Sequence, residues 1–239
     1  MLAFDHLVIA TNQPSQEQIA FEENYRIKGF PGGRHESWGT FNHLSHLQNN
    51  CYLEWIGIEN EKIARHSDNP LIQQLALALS SGRQGPIQFA LRTTDMNHFI
   101  HTWDKKGISY KGPFPGSREK TDGSTLKWRM LFPEAANLTL PFLIEWEGSN
   151  RPDDPHLINT QSFNKIQTGV PDIAQTVELY QKIYCLGIPK SSAEKSLPFY
   201  SWDLANGKLV LSKGEGINLD LEGTNTQFQK LPWLRIKDN

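Results

Sequence analysis

The chain has 239 residues, of which 38% are hydrophobic and 21% are charged, so it has enough apolar material for one large or two small globular domains. The formal net charge of −2 and the lack of any run of lysines or arginines argue against nucleic-acid binding and against a basic membrane-binding surface. Only two cysteines occur and they form no CxxC motif, which predicts a cytoplasmic protein without a disulfide framework. We identify no signal peptide and no apolar stretch of membrane-spanning length, so no membrane association is expected.

The first segment of the chain is predicted to form a β-α-β-β-β unit that ends near Ile58. The apolar string FDHLVIAT predicts a buried strand, and a helix is expected at about 15–26. That helix ends before the turn-rich string GFPGGR. WGTFNHLSHL and CYLEWIGI are then predicted strands, separated by a polar turn.

The second segment repeats this order after a connecting helix. Asn69 and Pro70 are predicted to open the connecting helix, because proline favours the first helical position. IQFALRTT is a predicted strand, Asp95 is the expected N-cap of the next helix, and TLKWRMLFP and PFLIEWEG are predicted strands after a Gly/Pro/Ser-rich loop at 112–124. The two modules are expected at about 3–58 and 86–148, within one domain spanning 1–150.

The rest of the chain, 151–239, is predicted to be a third, degenerate module of the same kind. Asp172 is expected to cap its helix, and Asn206-Gly207 predicts a hairpin within FYSWDLANGKLVLS. Aligning INLDLEG with LIEWEG places Asp220 on Glu145, and the same register places Lys165 on Gln88. We interpret Lys165 and Asp220 as a structural salt bridge, and the tail after Gly223 is expected to be partly irregular. The whole chain is therefore predicted to be an α+β protein. Its extra module would extend the sheet or make a dimer contact, so a homodimer is one expectation.

Each of the two modules has a side chain with a nitrogen or oxygen ligand atom in its first predicted strand and a carboxylate in its last predicted strand. When the modules are aligned through the threonine after each first strand and the tryptophan of each last strand, His6 pairs with Gln88 and Glu54 with Glu145. Because side chains alternate along a strand, these four donors are expected on the concave face of a bent sheet. One imidazole, two carboxylates and one amide oxygen suit a divalent ion such as Zn²⁺, Ni²⁺, Mn²⁺ or Fe²⁺.

Simpler interpretations exist for each of these residues. His6 alone is equally well a hydrogen-bonded strand histidine, and Gln88 could form hydrogen bonds within the core. The glutamates favour a site, because a carboxylate in an apolar strand costs several kcal/mol unless it is paired or metal-bound. The sequence contains no GxGxxG, P-loop, GxSxG or HExxH motif, which argues against the common nucleotide-binding, serine-hydrolase and zincin functions.

A second group of residues is predicted to bind substrate. The glycine-rich string GGRHESWGTFN is expected to line the mouth of the cavity, with Asn42 and His43 near it. Arg92 and Arg129 are candidates for holding an anionic substrate. The alternative is that the loop is a solvated turn and that the arginines pair with nearby acids, as strand arginines more often do.

Five strings in this order resemble the vicinal oxygen chelate superfamily, and more narrowly the glyoxalase-like domain proteins with the fold of glyoxalase I, bleomycin resistance proteins and related dioxygenases. They are FDHLVIAT, GGRHESWGTFN, YLEWIGI, FALRT and LIEWEG, and they cover about residues 3–148. The resemblance implies paired βαβββ modules that form a U-shaped mixed sheet around a metal ion.

The resemblance also implies a ligand set and a chemistry. The matching positions are His6, Glu54, Gln88 and Glu145, with Glu54 or Glu145 as the general base. The metal would hold two neighbouring oxygens of a small-molecule substrate and stabilise an enediolate, in a reaction of the lyase or isomerase class. The third module departs from glyoxalase I, and no glutathione-binding motif is present. Because the superfamily includes metal-free binding and resistance proteins, the alternative is a non-catalytic small-molecule binding protein.

Overall fold

The structure is a computed structural model that describes residues 1–119, 125–136, 138–194, 197–223 and 231–237. Its helices are α1 (Pro14–Tyr25), α2 (Glu61–Arg65), α3 (Pro70–Ser80), α4 (Met96–Lys106) and α5 (Ile173–Tyr184). As predicted, side-chain caps begin three of them, from Asn69 to α3, from Asp95 to α4 and from Asp172 to α5. No helix among the described residues is both long and apolar enough to cross a bilayer.

The strands form two mixed sheets, which confirms the predicted α+β class and its βαβββ modules. The first sheet has the order β2-β3-β4-β1-β5-β8-β7-β6. Its strands are β1 (Ala3–Ala10), β2 (Phe30–His35), β3 (Thr40–His46), β4 (Tyr52–Ile58), β5 (Gly85–Arg92), β6 (Tyr110–Glu119), β7 (Thr125–Pro133) and β8 (Phe142–Glu147). Because β1 and β5 pair antiparallel at the centre, the two modules face each other across a local twofold axis.

Backbone bonds at the ends of the first strands fix how the two modules correspond. The Thr11 N–H donates to the Ile56 carbonyl at 3.0 Å, and the Thr93 N–H donates to the Ile144 carbonyl at 2.9 Å. The alignment of the two threonines is therefore correct, and Ile56 corresponds to Ile144.

The same correspondence corrects the predicted alignment of the last strands. Val8 lies beside Glu54 in the first module, and Ala90 lies beside Phe142 in the second. The structural counterpart of Glu54 is thus Phe142, whereas Glu145 lies further along β8. The shared tryptophans misled the alignment, because Trp55 lies one residue before Ile56 whereas Trp146 lies two residues after Ile144.

The C-terminal sheet has the order β10-β11-β12-β9-β13-β14, which repeats the order β2-β3-β4-β1-β5-β8. Its strands are β9 (Ser162–Val170), β10 (Lys190–Glu194), β11 (Leu197–Leu204), β12 (Gly207–Lys213), β13 (Ile217–Glu222) and β14 (Leu234–Lys237). The hairpin at Asn206-Gly207 joins β11 to β12, as predicted. In the tail after Gly223, which is predicted to be partly irregular, Leu234–Lys237 form β14; residues 224–230 and 238–239 lie outside the described residues.

The predicted alignment of the third module also needs correction. β12, not INLDLEG, ends this module, because β12 runs parallel to β9 just as β4 runs parallel to β1. INLDLEG is β13, which pairs antiparallel with β9 as β5 does with β1. Register shifts follow both Phe4 in β1 and its counterpart Phe163 in β9, so Lys165 corresponds to His6. The predicted salt bridge is present, with Lys165 Nζ 3.3 Å from Asp220 Oδ2.

Two asparagines join the sheets reciprocally. The Asn49 side chain accepts a hydrogen bond from the Phe163 N–H at 2.8 Å and donates one to the Phe163 carbonyl at 2.8 Å. The Asn206 side chain accepts one from the Phe4 N–H at 2.9 Å and donates one to the Phe4 carbonyl at 2.8 Å. The rings of Phe4 and Phe163 stack between them, with their centroids 4.2 Å apart.

The two edges of the first sheet correct the prediction of loops in their Pro/Gly-rich strings. GFPGGR contributes to β2, and GPFPGS lies within β6; residues 120–124 of the predicted loop are outside the described residues. Proline is compatible with an edge strand, because one side of the strand's backbone needs no ladder partner. The sheet bends so far that the two edges meet, and the Arg118 side chain of β6 donates to the Gly32 carbonyl of β2.

The concave face of the first sheet is packed against α3. Leu71, Leu75 and Ala78 of this helix are buried against Val8 and Ile56 of the sheet. Each fully buried leucine contributes about 1.5–3 kcal/mol, so the contact holds α3 firmly inside the bend. The helix therefore fills much of the concave side and leaves only a narrow cavity.

Candidate active site

The remaining cavity lies between the concave face, α3 and the two meeting edges. Its volume is about 40 Å³. Because one water molecule needs about 10–15 Å³ of such volume, the cavity admits a few heavy atoms at once. Its wall is mostly aromatic and aliphatic, and its polar members are His6, His35, Asn42, Glu54 and Arg118. A small polar group would therefore meet a few directed polar contacts in an otherwise apolar space.

Asp5, His6 and Glu54 form a buried chain of ionisable groups. His6 Nδ1 lies 2.7 Å from Asp5 Oδ1, and His6 Nε2 lies 3.5 Å from Glu54 Oε2. All three residues are at most 6% exposed. The Asp5 carboxylate thus holds the proton of Nδ1 and turns Nε2 towards Glu54, which is how a carboxylate fixes the tautomer of a histidine.

A β-bulge brings Asp5 and His6 together. Adjacent residues of a regular strand point to opposite faces. The register between β1 and β5 shifts between Phe4 and His6, which leaves Asp5 as the extra residue. Asp5 also accepts hydrogen bonds from Arg92 and Trp146, each at 3.0 Å. These donors stabilise a carboxylate that is fully buried.

Asn42 holds the other oxygen of Glu54. Its Nδ2 donates to Glu54 Oε1 at 2.5 Å, so Oε2 is the oxygen that faces His6. Gly32 gives Asn42 its space, because a Cβ on Gly32 would lie 2.3 Å from Asn42 Oδ1. The base of the cavity is therefore a fixed carboxylate with one oxygen directed at an imidazole.

The structure does not bring Gln88 and Glu145 to this site. Gln88 donates to the Leu140 carbonyl at 3.0 Å and accepts from the Phe89 N–H at 2.9 Å, so its amide serves the core. On β8, Ile144 and Trp146 face the cavity, and Glu145 points to the other side by strand alternation.

Glu145 is committed to other partners on that side. It accepts from the Met96 N–H at the start of α4 at 2.9 Å and pairs with Arg129 Nη2 at 2.6 Å. A carboxylate is favourable at a helix N-terminus, which gives Glu145 a structural role.

The donors present do not fit the predicted four-ligand metal centre. Of the four predicted ligands, only His6 and Glu54 reach the cavity. Within the described ranges, no cluster of three or more His, Cys, Asp and Glu side chains is arranged to hold a metal ion. The position where the repeat would supply a second carboxylate is Phe142, whose ring lies edge-on to His6 at a centroid distance of 5.6 Å.

Of the four predicted substrate-binding residues, one lies at the cavity and three do not. Asn42 lies in the cavity wall, whereas His43, Arg92 and Arg129 do not. Arg92 donates to Asp5 at 3.0 Å and to the Asn50 carbonyl at 2.7 Å. Arg129 pairs with Glu145. Both arginines thus follow the simpler interpretation, pairing with nearby acids.

Three further residues of the wall come from the two edges of the sheet. The string GGRHESWGTFN contributes His35 and Trp38, which agrees with its predicted place at the cavity mouth. Burial lowers the pKa of His35 and outweighs the negative charge of Glu54, which raises it; the positive charge of Arg118 adds to the lowering. Arg118 was not predicted, because a Pro/Gly-rich string gives no sign that it forms a strand or which way its side chains point.

Comparison with known proteins agrees with this architecture. A profile of the glyoxalase-like domain family matches residues 4–184. A hypothetical protein from Staphylococcus aureus of known crystal structure has 18% identity and a TM-score of 0.81, with 100% of each chain covered. A variant of the methylmalonyl-CoA epimerase of Streptomyces coelicolor, in complex with 2-nitronate-propionyl-CoA, has 18% identity and a TM-score of 0.46, covering 63% of this chain and 98% of that one.

The methylmalonyl-CoA epimerase of Mycobacterium tuberculosis has 14% identity and a TM-score of 0.43, covering 60% of this chain and 85% of that one. Among curated protein sequences, none matches this chain. The family match covers well over half of the chain, including both N-terminal modules, and extends through β9 and α5 of the third. The chain therefore belongs to the glyoxalase-like domain family of the vicinal oxygen chelate superfamily.

Proposed function

We propose that this protein is an enzyme of the isomerase or lyase class that moves a proton on a carbon next to a carbonyl group of a small, oxygen-rich substrate. The observation that carries the proposal is the Asp5–His6–Glu54 chain at the base of a narrow apolar cavity. Three ionisable groups buried at one point are costly unless they are used or fully paired.

The proposed step uses one acid and one base. Glu54 Oε2 takes the proton from the carbon, and the electron pair of that C–H bond moves into the bond to the carbonyl carbon. The carbonyl oxygen gains the electron pair of its π bond and takes a proton from His6 Nε2, which gives a neutral enol. Glu54 then returns its proton to the same or the neighbouring carbon while an enol oxygen gives a proton back to His6 Nε2, which restores both groups. General acid–base catalysis of this kind is worth about 10²–10⁴-fold in rate.

The surrounding residues support these roles. Asp5 lies beside Nδ1, so its negative charge stabilises the imidazolium form of His6 that donates the proton. Asn42 holds Oε1 of Glu54, which leaves Oε2 with a defined direction. The apolar wall excludes water and so strengthens each of these electrostatic contacts.

A divalent ion is usual in the superfamily, and the sequence predicts one here. Of the four predicted ligands, His6 and Glu54 alone line the cavity, and no group of three or more His, Cys, Asp and Glu side chains among the described residues is arranged to hold an ion, whereas a catalytic zinc site has three protein ligands. The proposed step therefore assigns the stabilisation of the developing oxyanion to the protonated His6.

A non-catalytic binding protein is the second candidate. Trp38, Trp128 and Trp146 all line the cavity and would bind a flat ligand through their ring faces. Such a protein would hold its ligand tightly and leave its carbon-bound hydrogens unexchanged.

Exchange of carbon-bound hydrogen with deuterated water, followed by NMR, tests the proposal. The panel consists of hydroxyketones, 2-oxo acids and hemithioacetals, each measured with a chelator and with added Zn²⁺ or Mn²⁺. We expect exchange with the chelator present, and a loss of about a hundredfold or more in Glu54→Gln. Glu145→Gln is the matched control and should keep the wild-type rate. Exchange that survives Glu54→Gln, or tight binding of a panel member without exchange, would contradict the enzymatic role.

A further inference from the structure

Arg118 is the cationic side chain of the cavity wall. It lies on β6, the edge strand furthest from β1 in the sheet order, yet it lines the same space as His6 and Glu54. The strong bend of the sheet brings it there, where it donates to the Gly32 carbonyl of the opposite edge. Among the described residues that line this cavity, no other lysine or arginine is present.

The charges around the cavity leave a place for an anion. Asp5 is surrounded by its own donors, namely His6, Arg92 and Trp146. An anionic ligand would therefore meet Glu54 as the negative group of the wall and Arg118 as the positive group. A guanidinium carries five N–H donors in a plane that matches a carboxylate, and one carbonyl partner occupies a small part of that capacity.

Arg118 also stands between the narrow cavity and open solvent. A cleft of about 820 Å³ runs between the two meeting edges and is lined by Gly33–Trp38 on one side and Pro115–Arg118 on the other. His35, Trp38 and Arg118 line both spaces. A ligand that enters from the cleft thus passes the guanidinium first and reaches Glu54 with its far end.

From these positions we infer that the substrate is a small 2-oxo acid, whose carboxylate is bound by Arg118 while its carbonyl oxygen faces His6 and the hydrogen-bearing carbon beyond the carbonyl faces Glu54. The inference rests on the proposed function for the placement of the reacting carbon. The narrow volume limits the part beyond the carboxylate to a few heavy atoms.

The test is binding of oxalate and pyruvate, with oxamide as the uncharged counterpart of oxalate, followed by calorimetry and by tryptophan fluorescence. The wild type should bind oxalate at least tenfold more tightly than oxamide. Arg118→Gln should weaken oxalate and pyruvate at least tenfold and leave oxamide unchanged, and Arg118→Lys should fall between, because lysine keeps the charge without the planar fork.

Arg34→Gln is the matched control. Arg34 lies in the same cleft but not in the cavity, and it pairs with Glu59 at 2.9 Å on the exposed surface. This variant should bind oxalate as the wild type does. Unchanged urea midpoints show that both variants are folded. Failure of the wild type to bind either anion, equal affinity for oxalate and oxamide, or full oxalate binding by Arg118→Gln would overturn the inference.

Glu54→Gln separates this inference from the proposed function. It should bind oxalate as tightly as the wild type or more tightly, because one negative charge is removed from the wall, while hydrogen exchange is lost. Arg118-dependent anion binding without exchange in any panel member would refute the enzyme and keep the anion site. Exchange confined to uncharged hydroxyketones would refute the anion site and keep the enzyme.

Discussion

The two sheets of this protein have the same strand order around their first strands, yet only the N-terminal one carries an acid–base chain. The registers of β1 with β4 and of β9 with β12 make the comparison direct. The corresponding residues are Asp5 and Asn164, His6 and Lys165, and Glu54 and Val210. In the C-terminal sheet, Lys165 instead pairs with the buried Asp220 of β13 at 3.3 Å.

The difference shows that this scaffold specifies the position of a site without specifying its chemistry. The same bulge after a phenylalanine occurs in both first strands. In one sheet it places a carboxylate beside an imidazole that lines the cavity, and in the other the corresponding residues are Asn164 and Lys165, of which the lysine forms a structural ion pair. One strand order thus carries two different sets of side chains at three corresponding positions of the same chain.

Exchanging the residue after the phenylalanine between the two sheets is expected to have the largest effect. Asp5→Asn gives the N-terminal sheet the amide of its counterpart, which can present its NH₂ group to Nδ1 and so select the wrong tautomer of His6. Hydrogen exchange should fall on the order of a thousandfold, with a changed pH profile. The reciprocal Asn164→Asp should leave exchange unchanged. Wild-type exchange in Asp5→Asn would show that His6 needs no carboxylate partner.

Removing the cation of the C-terminal ion pair should lower stability without affecting exchange. Lys165→Met leaves the Asp220 carboxylate, which is 2% exposed, without its partner. We expect a loss of about 3 kcal/mol in the free energy of unfolding, measured by urea denaturation. The double variant Lys165→Met/Asp220→Leu should recover most of it. Lys190→Met, at the exposed pair with Asp203, should cost less than about 1 kcal/mol. If Lys165→Met lost as little free energy of unfolding as Lys190→Met, the buried ion pair would contribute no more to stability than the exposed one, which would contradict this prediction.

The reciprocal asparagines should contribute equally if the two sheets are equivalent at their contact. Asn49→Ala and Asn206→Ala each remove two bonds to the backbone of a buried phenylalanine. Each should cost about 2 kcal/mol, because the N–H and carbonyl left behind lose their partners. Asn24→Ala, on the exposed face of α1, should change stability by less than about 0.5 kcal/mol. A loss in only one of the two variants would show that the contact is asymmetric.

Acid sensitivity that arises from histidine should belong to the N-terminal sheet, because the sequence of the C-terminal sheet at 162–237 contains no histidine. His46 is buried between the rings of Phe30 and Tyr52. This burial, together with the charge of Arg118, lowers the pKa of His46 to about 3. The unfolded chain therefore binds a proton that the folded chain does not, from pH about 6.5 down to about 3.

The free energy of unfolding should accordingly decrease as the pH is lowered through that window, by about 1.4 kcal/mol per pH unit for this one group. His46→Phe removes the titration and keeps a ring in the stack, so its unfolding free energy should depend less on pH by that amount between about pH 4.5 and pH 6. The exposed His98→Gln is the control and should follow the wild type. Identical slopes for wild type and His46→Phe would show that His46 is protonated without cost.

The sequence predicts the modules well because first strands carry a strong signal. FDHLVIAT and IQFALRTT share an apolar run and a closing threonine, and their alignment through Thr11 and Thr93 is correct. The last strands are harder to align, because β8 is buried on both faces along Phe142–Ile144. Its run of apolar residues therefore does not show which side chains face the cavity. A shared tryptophan then decides the alignment wrongly, and Glu145 is assigned to the cavity.

Other parts of the site have no local signal. The bulge at Asp5 moves its side chain to the same side as that of His6. Because a prediction from the sequence assumes regular alternation along the strand, it cannot detect this change. The two edge strands contain proline and glycine, so their strings are typical of loops. Their meeting depends on the total bend of eight strands, and only that bend places Arg118 near Glu54.

The reciprocal contact at Phe4 has a consequence for the order in which the protein forms. Phe4 immediately precedes Asp5 and His6, and its N–H and carbonyl are held by Asn206. During synthesis, chains fold from the N-terminus as they emerge. About two hundred further residues must therefore be synthesised before Asn206 can form its hydrogen bonds to the backbone of Phe4 in the first strand. Contacts of such long separation in sequence form late. The backbone hydrogen bonds of Phe4, next to the residues proposed for catalysis, are thus complete only once the hairpin at Asn206 has formed.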